Sequence, residues 1–330
     1  MSATSDYRQF HSFCLDRIRI LSGALWPNRL KLHSVERWLE NFAPALDEDS
    51  IENSASNCES LHALFLLSHF MYFGETEIRE LLKVLYRDFI KRPRLSEIKT
   101  KNSSASISEI DDSYHQELKN TRFLGVGNPA DSGSFLLYFF RQENQLSRKI
   151  FIASHEVYSV EGSGGLRDES ITSYHFIDDF CGSGDTGMKY SKDFIKDLKA
   201  KFPHIRFEYH SLFSMGDGLR KLREESAFDV VNSVIELDDS FKVFSEKSRY
   251  FTKKHPLIDR DFCRAMAEKY GSSINAEDPL GYKNGQLLIS FNHNTPNNTL
   301  PIFWANQPNG WRAIFPRYRK QYGWGESTIS

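Results

Sequence analysis

The sequence predicts an α/β fold, a mostly parallel sheet flanked by helices, behind a helical N-terminal region. Three observations carry that expectation. Apolar residues recur at helical spacing through roughly the first 90 positions. From Arg122 onward, short apolar and aromatic runs alternate with helical stretches, the pattern of a parallel sheet with crossover helices. One of those runs, H-F-I-D-D-F-C-G-S-G-D-T-G at 175–187, leads into two adjacent acids and then a turn of Gly, Ser, Asp and Thr.

The elements follow in order. Phe10, Phe13, Ile18 and Leu21 share one helix face, and Val35, Trp38, Leu39 and Phe42 another. The stretch 61–73 is expected to be a buried helix. Ile78, Leu81, Leu82, Leu85 and Phe89 mark a helix over 77–90, with Thr76 placed to cap it. The stretch 94–108, polar and serine-rich after Pro93, reads as a linker. Its Lys99 and Lys101, with Lys91, Arg92 and Arg94, form a small basic cluster, either solvated or in contact with nucleic acid. Strands are then expected at 122–127, 149–153, 174–177, 205–213 and 228–237, and helices at 135–142, 185–201 and 215–224. A long glycine-containing segment, 155–172, lies between the second and third strands. Beyond it, 255–270 is expected to be helical, and 286–291 and 300–304 to be strands. The expected domains are a helical region 1–95, a linker 96–121, a core 122–254 and a C-terminal capping segment 255–330.

Composition narrows the classes. The 330 residues allow one large domain, or a core with a smaller companion. Apolar residues make up 40% and Phe alone contributes 26, enough for a substantial core. A net charge of -2 argues against wholesale electrostatic binding to nucleic acid or anionic lipid. The polar start M-S-A-T-S-D-Y-R-Q-F-H lacks a signal core, and the apolar stretch 61–73 is too short to cross a bilayer. Cys14, Cys58, Cys181 and Cys263 form no C-x-x-C pair and are expected to be free thiols. Together these features point to a cytoplasmic protein with no membrane partner. The histidines show no H-x-x-x-H spacing, and His204 and His210, flanking the fourth strand, read as structural or exposed.

The acid-acid turn carries the chemistry. Asp178 and Asp179 fall at a strand end, and Gly182 to Thr186 run into a helix. A helix N-terminus presents unpaired N–H groups and suits a phosphate. Glycines let the backbone approach the anion, and Ser183 and Thr186 can donate hydrogen bonds to it. The two acids can accept from sugar hydroxyls or hold a divalent cation through water. The turn lacks the Gly-Lys-Ser/Thr end of a P-loop, and its acids precede the glycines instead of following them as in dinucleotide folds.

F-I-D-D-F-C-G-S-G-D-T resembles the phosphoribosyl-pyrophosphate (PRPP) motif of type I phosphoribosyltransferases. The resemblance covers about 122–237. It implies a type I phosphoribosyltransferase-like core in which Asp178 and Asp179 are catalytic and meet the ribose hydroxyls. Gly182, Ser183, Gly184, Asp185, Thr186 and Gly187 would cradle the 5′-phosphate. G-V-G-N-P-A-D-S-G-S at 125–134 stands where the family has its pyrophosphate loop, which places Gly127, Asn128, Asp131, Ser132 and Gly133 at the substrate. The segment 155–172 stands where the family has a mobile loop, with His155 and Arg167 as its candidate side chains. Mg²⁺ is the implied cofactor, brought by the substrate and possible at Asp178 and Asp179, and the implied ligand is PRPP or a nucleotide.

There are departures. Gly182 replaces an acid found in many members, Asp185 adds negative charge to the phosphate turn, and the pyrophosphate loop lacks a basic residue, although Arg122 lies at its strand. W-L-E-N-F at 38–42, D-P-L-G-Y at 278–282 and T-P-N-N-T-L-P-I-F-W at 295–304 further resemble phosphoribosyltransferase-like conflict effectors of bacterial antiphage defence, some retron-associated. That resemblance implies a reverse transcriptase with its DNA-RNA product as partner. Two functions follow: transfer or cleavage at ribose C1, or a catalytically silent module that senses a nucleotide or holds a partner. In the C-terminal part, Asn297, Asn298 and Thr299 read as a tight connection or as readers of a base edge. Arg312, Arg317, Arg319 and Lys320 read as a solvated rim or a nucleic-acid contact.

Overall fold

The computed structural model describes residues 3–27, 29–43, 58–127, 132–158, 165–305 and 310–318. The chain divides into two compact units, 1–75 with 239–330, and 76–238.

The first unit is mainly helical. Helix Ala3–Ala24 contributes Cys14 and Ile18 to its core, and helix Leu32–Leu39 contributes Val35 and Trp38. The Trp38 indole stacks on Phe303 at 5.1 Å and donates its N–H to the Ile302 carbonyl at 2.9 Å. Helix Glu59–Ser68 is buried at every position from Leu61 to Ser68. The helix expected over 61–73 therefore stops early, and Met71–Phe73 form strand β1. A run that is apolar on all sides gives no periodicity to mark where helix yields to strand. β1 pairs in parallel with β6, Ile289–Phe291. Helix Arg260–Ile274 starts where Asp259 accepts a hydrogen bond from the Phe262 N–H at 2.7 Å. The strand expected at 300–304 is instead a short helix, Pro301–Trp304, because proline at the first helical position is preset for helical φ.

The second unit holds the main sheet: β2 (Thr121–Gly125), β3 (Ser173–Cys181), β4 (Arg206–Met215) and β5 (Val230–Leu237). The four strands run parallel in the order β2-β3-β4-β5. The strand expected at 149–153 reduces to one parallel bridge, Phe151 beside Phe123, after a tight turn at Arg148–Ile150. That bridge still fixes the topology. The chain leaves β2, visits its outer side at Phe151, and returns to its inner side as β3. Such a reversal opens a crevice at the carboxyl ends of the two strands.

Helices cover both sheet faces. On one face Leu124, Phe176, Phe207 and Tyr209 pack with Leu198, Leu219 and Leu222 from 185–201 and from helix Gly216–Glu225. The stretch 185–201 is helical as expected, with one widened turn at Ser191–Ile195. On the other face Phe123 meets Phe140 of helix Ser132–Glu143 at 5.3 Å. Phe140 in turn meets Tyr86, whose hydroxyl bonds that of Tyr114 at 2.7 Å.

The expected linker at 94–108 is mostly helix. Arg92–Lys101 is one helix, and Ile107–Lys119 begins after a turn at Ser106. Ser106 and Glu109 form a capping box: the Ser106 hydroxyl accepts from the Glu109 N–H, and the Glu109 carboxylate accepts from the Ser106 N–H at 2.8 Å. Of the residues that suggested a linker, Ser103 and Ser104 lie in the turn between the two helices, Ser106 caps the second, and Lys99 and Lys101 lie on a solvated helix face. Among the described residues, no helix is long and apolar enough to cross a membrane. Ser106→Ala should lower stability by about 1 kcal/mol in urea unfolding. An unchanged midpoint would show that this cap does not hold the helix.

Candidate functional site

β3 is buried over most of its length and carries the two acids before its last turn of chain, at 7% and 9% exposure. Residues alternate across the sheet, so Asp178 shares a face with Tyr174 and Phe176, while Asp179 faces the other way. The Tyr209 hydroxyl of β4 donates to Asp178 Oδ2 at 2.6 Å, and the Asp179 N–H donates to Asp178 Oδ1 at 3.0 Å. Burial, then the Asp178 charge, raises the Tyr209 phenol well above its usual range, so it stays a donor. Cys181, at the strand end, is pushed up to about 12 by burial and stays a thiol.

The turn after β3 is tight because another backbone lies against it. Gly184 has φ +77°, and a Cβ there would stand 2.8 Å from the Gly218 carbonyl. A Cβ on Gly218 would meet the Gly182 carbonyl at 2.1 Å. These glycines let helix Gly216–Glu225 sit directly on the turn. The turn is also internally paired. Ser183 Oγ donates to Asp185 Oδ2 at 2.8 Å, and Lys221 Nζ meets Asp185 Oδ1 at 2.8 Å. Lys221 therefore offsets the charge that Asp185 adds to the turn. Thr186 is exposed and Gly187 is buried against Leu222.

The neighbouring turn leaves β2 beside it, since Gly125 pairs with Ile177. Tyr190 joins the two: its hydroxyl donates to the Gly127 carbonyl at 2.7 Å and accepts from the Gly127 N–H at 3.2 Å. Gly133 packs its α-carbon onto Val126, where a Cβ would stand 2.4 Å from the carbonyl. Asn128 and Asp131 lie outside the described residues, and of Ser132 only the backbone is described.

The segment 155–172 is anchored at both ends of its described parts. Tyr158 and Leu166 form an antiparallel bridge, Arg167 pairs with Glu156 at 3.1 Å, and Arg122 pairs with Asp168 at 2.8 Å. His155 is exposed. Arg122 thus serves this segment's base. In the first unit, Asn298 Nδ2 donates to the Tyr282 carbonyl and Thr299 Oγ1 to the Ile289 carbonyl, so both side chains brace backbone. Arg312 pairs with Glu40, and Arg317 donates to the Thr295 carbonyl. Arg319 and Lys320 lie outside the described residues.

Sequence reading missed Tyr209 and Lys221, which stand on other elements than the motif they serve, and Tyr190, which ends the helix that the motif opens. It also missed a second cluster, His175, Glu208 and His210, all buried on the opposite sheet face. Burial pushes His175 down to about 4. Burial works to raise the Glu208 carboxyl, and the His175 and His210 imidazoles with the Arg206 guanidinium override it and hold the group down at about 2. Part of the signal was available: Glu208-x-His210 shares one strand face, and His175 lies on the strand expected before it in the chain.

A family model, PRTase-CE, matches residues 35–317. Among curated proteins none matches. Among solved structures, the chain is similar to a Helicobacter pylori xanthine-guanine-hypoxanthine phosphoribosyltransferase, at 12% identity and TM-score 0.28, over 51% of this chain and 89% of that one. It is also similar to a hypoxanthine-guanine-xanthine phosphoribosyltransferase, at 14% identity and TM-score 0.25, over 53% and 82%.

Tyr209→Phe removes a side-chain donor from the buried Asp178 carboxylate. It should cost about 1.5–3 kcal/mol in chemical denaturation. A change below a few tenths would mean that Asp178 does not depend on the phenol.

Proposed function

The chain belongs to the PRTase-CE family of phosphoribosyltransferase-like conflict effectors, and from that premise we propose that its second unit binds a phosphoribosyl compound and transfers or cleaves at ribose C1. One observation carries the reading. Two backbone turns, after β2 and after β3, lie side by side at the reversal of strand order and are tied by Tyr190, with two buried acids at their junction. Ligands of open parallel sheets bind in that crevice.

In this reading the turn at 182–187 takes the 5′-phosphate on backbone N–H groups at the start of the helix. The Ser183 hydroxyl turns from Asp185 to the phosphate, and Lys221, already facing Asp185 at 2.8 Å, adds positive charge nearby. Asp179 and Asp178 accept from the ribose hydroxyls and hold the sugar while positive charge develops at C1. The turn at 125–134 receives the leaving pyrophosphate. Mg²⁺ suits the hard oxygen donors of Asp178 and Asp179 and, when bound with substrate, neutralises phosphate charge.

A second reading has specific support. The Asp178 oxygens already accept from Tyr209 and from the backbone, and Asp185 is already engaged by Ser183 and Lys221. A site satisfied this way can hold a nucleotide without turnover. The proposal extends to an antiphage role, with a reverse transcriptase and its DNA-RNA product as the partner that controls the activity.

Phosphorus NMR of the full chain with PRPP and Mg²⁺, with and without candidate bases, separates the two. Transfer or hydrolysis gives pyrophosphate, and Asp178→Asn with Asp179→Asn should cut its release by about 100-fold or more. Saturable binding of PRPP without pyrophosphate in any mixture would establish the silent module and overturn the enzyme.

A further inference from the structure

The cluster on the opposite sheet face has no place in that function. His175 Nδ1 and His210 Nε2 stand 3.1 Å apart. Glu208 Oε2 is 3.2 Å from His210 Nε2 and 3.6 Å from His175 Nδ1. Three ligand-type atoms therefore converge from adjacent strands, because His175 pairs with Glu208, and Ile177 with His210, in the β3-β4 register.

Hydrogen bonding alone serves this convergence poorly. Only one proton fits between two ring nitrogens at that distance. That proton is shared among three atoms that can all accept, while the carboxylate adds a negative charge at a depth where charge is costly. Buried histidines kept for structure normally bond through both nitrogens. His210 is fully buried, and among the described residues its Nδ1 has no hydrogen-bond partner. All its polar contacts run through Nε2 to the other two members of the cluster.

A first-row divalent cation resolves the convergence. Metal–ligand bonds of about 2.0–2.1 Å in a tetrahedral arrangement place neighbouring ligand atoms about 3.3 Å apart. The three observed separations bracket that value. Two imidazoles and one carboxylate are a common ligand set for zinc and its neighbours, and they leave a position open. The surroundings support the same reading. Arg206 Nε holds the other Glu208 oxygen, Oε1, at 2.6 Å, which fixes the carboxylate and leaves Oε2 to the cluster. Arg206 is itself held by Glu97 at 3.0 Å, and Glu97 by Arg94. His175 and Glu208 line a cleft of about 110 Å³ beneath helices Arg92–Lys101 and Ile107–Lys119, so an open coordination position has room for a water or a small ligand.

We propose that His175, Glu208 and His210 form a binding site for one Zn²⁺-like divalent cation, with its open position toward this cleft. The site is separate from the crevice at the ends of β2 and β3 and does not depend on what that crevice binds. With Nε2 on the metal, the His210 ring proton moves to Nδ1, which among the described residues has no acceptor. A supporting partner on a ligating histidine is worth about 10–100-fold in affinity, so the affinity should be micromolar, not nanomolar.

The full-length chain, stripped with chelator and dialysed, is titrated with Co²⁺ and then Zn²⁺. The readouts are visible ligand-field absorption, calorimetry and metal content. One equivalent per chain is expected, with Zn²⁺ displacing Co²⁺. Glu208→Gln and His210→Gln, checked for folding by circular dichroism, should weaken binding by about 100-fold or more. Asp178→Asn/Asp179→Asn should leave it unchanged, which separates this site from any Mg²⁺ at the crevice. A folded wild-type chain that binds no stoichiometric Co²⁺ or Zn²⁺ overturns the proposal and leaves a proton-sharing histidine pair. Undiminished binding in the folded Glu208 and His210 variants overturns it as well, because the ion then lies elsewhere.

Discussion

The candidate site hangs from one register, Gly125 beside Ile177 in a parallel pair. Parallel neighbours cannot be joined by a hairpin, so the chain must travel between them. Here it travels to the outer side of β2, touches it at Phe151, and crosses back. Because β2 and β3 pair in parallel, the turns that follow them leave adjacent strands in the same direction. Tyr190 then spans them with two hydrogen bonds to Gly127 and converts proximity into a fixed spacing. The proposed function requires such a spacing, because in it one substrate reaches both turns.

The glycines in these turns answer to packing as well as to chemistry. Gly184 needs its positive φ, and Gly218 needs to be bare because the Gly182 carbonyl stands where its Cβ would go. Gly133 is bare because Val126 lies against it. A glycine-rich turn in a sequence is thus compatible with a ligand and with a neighbouring helix. In this molecule the helix is visible. The two needs do not conflict, since a helix pressed against one side of a turn leaves the N–H groups on its other side to face an anion.

Much of the second unit was legible in the sequence. Its strands and crossover helices alternate with clean changes of period, and short apolar runs separate from amphipathic stretches. The failures have physical causes. The stretch 61–73 is apolar on every side, so periodicity could not mark the change from Ser68 to β1. The stretch 94–108 looked like a linker because a capping serine, other polar residues and a solvated lysine face have the composition of a loop. Pro301 starts a helix where an apolar run suggested a strand. At the site, the acids and the turn were legible because they are contiguous. Lys221 and Tyr209 were not, because they reach the motif from other elements, and Tyr190 was not, because from the helix that the motif opens it reaches across to Gly127; only tertiary structure sets those distances.

β4 shows why the two sheet faces cannot be considered apart. Glu208, Tyr209 and His210 are consecutive, and alternation sends the middle one to the opposite face. Tyr209 reaches Asp178 on the crevice side, while Glu208 and His210 reach His175 on the other. β3 repeats the arrangement, with His175 facing one way and Asp178 the other. A backbone shift that repositions the histidine cluster therefore moves the phenol that holds Asp178, since a packed, doubly covered strand has no slack to absorb it. The Arg206–Glu208 ion pair pins β4 from one face, and the Tyr209 hydrogen bond pins β3 from the other. The geometry of the acid pair is thus set partly by residues that cannot touch a ligand in the crevice. The two faces share strands but no ligand-type side chains, so they are coupled only through the backbone of β3 and β4.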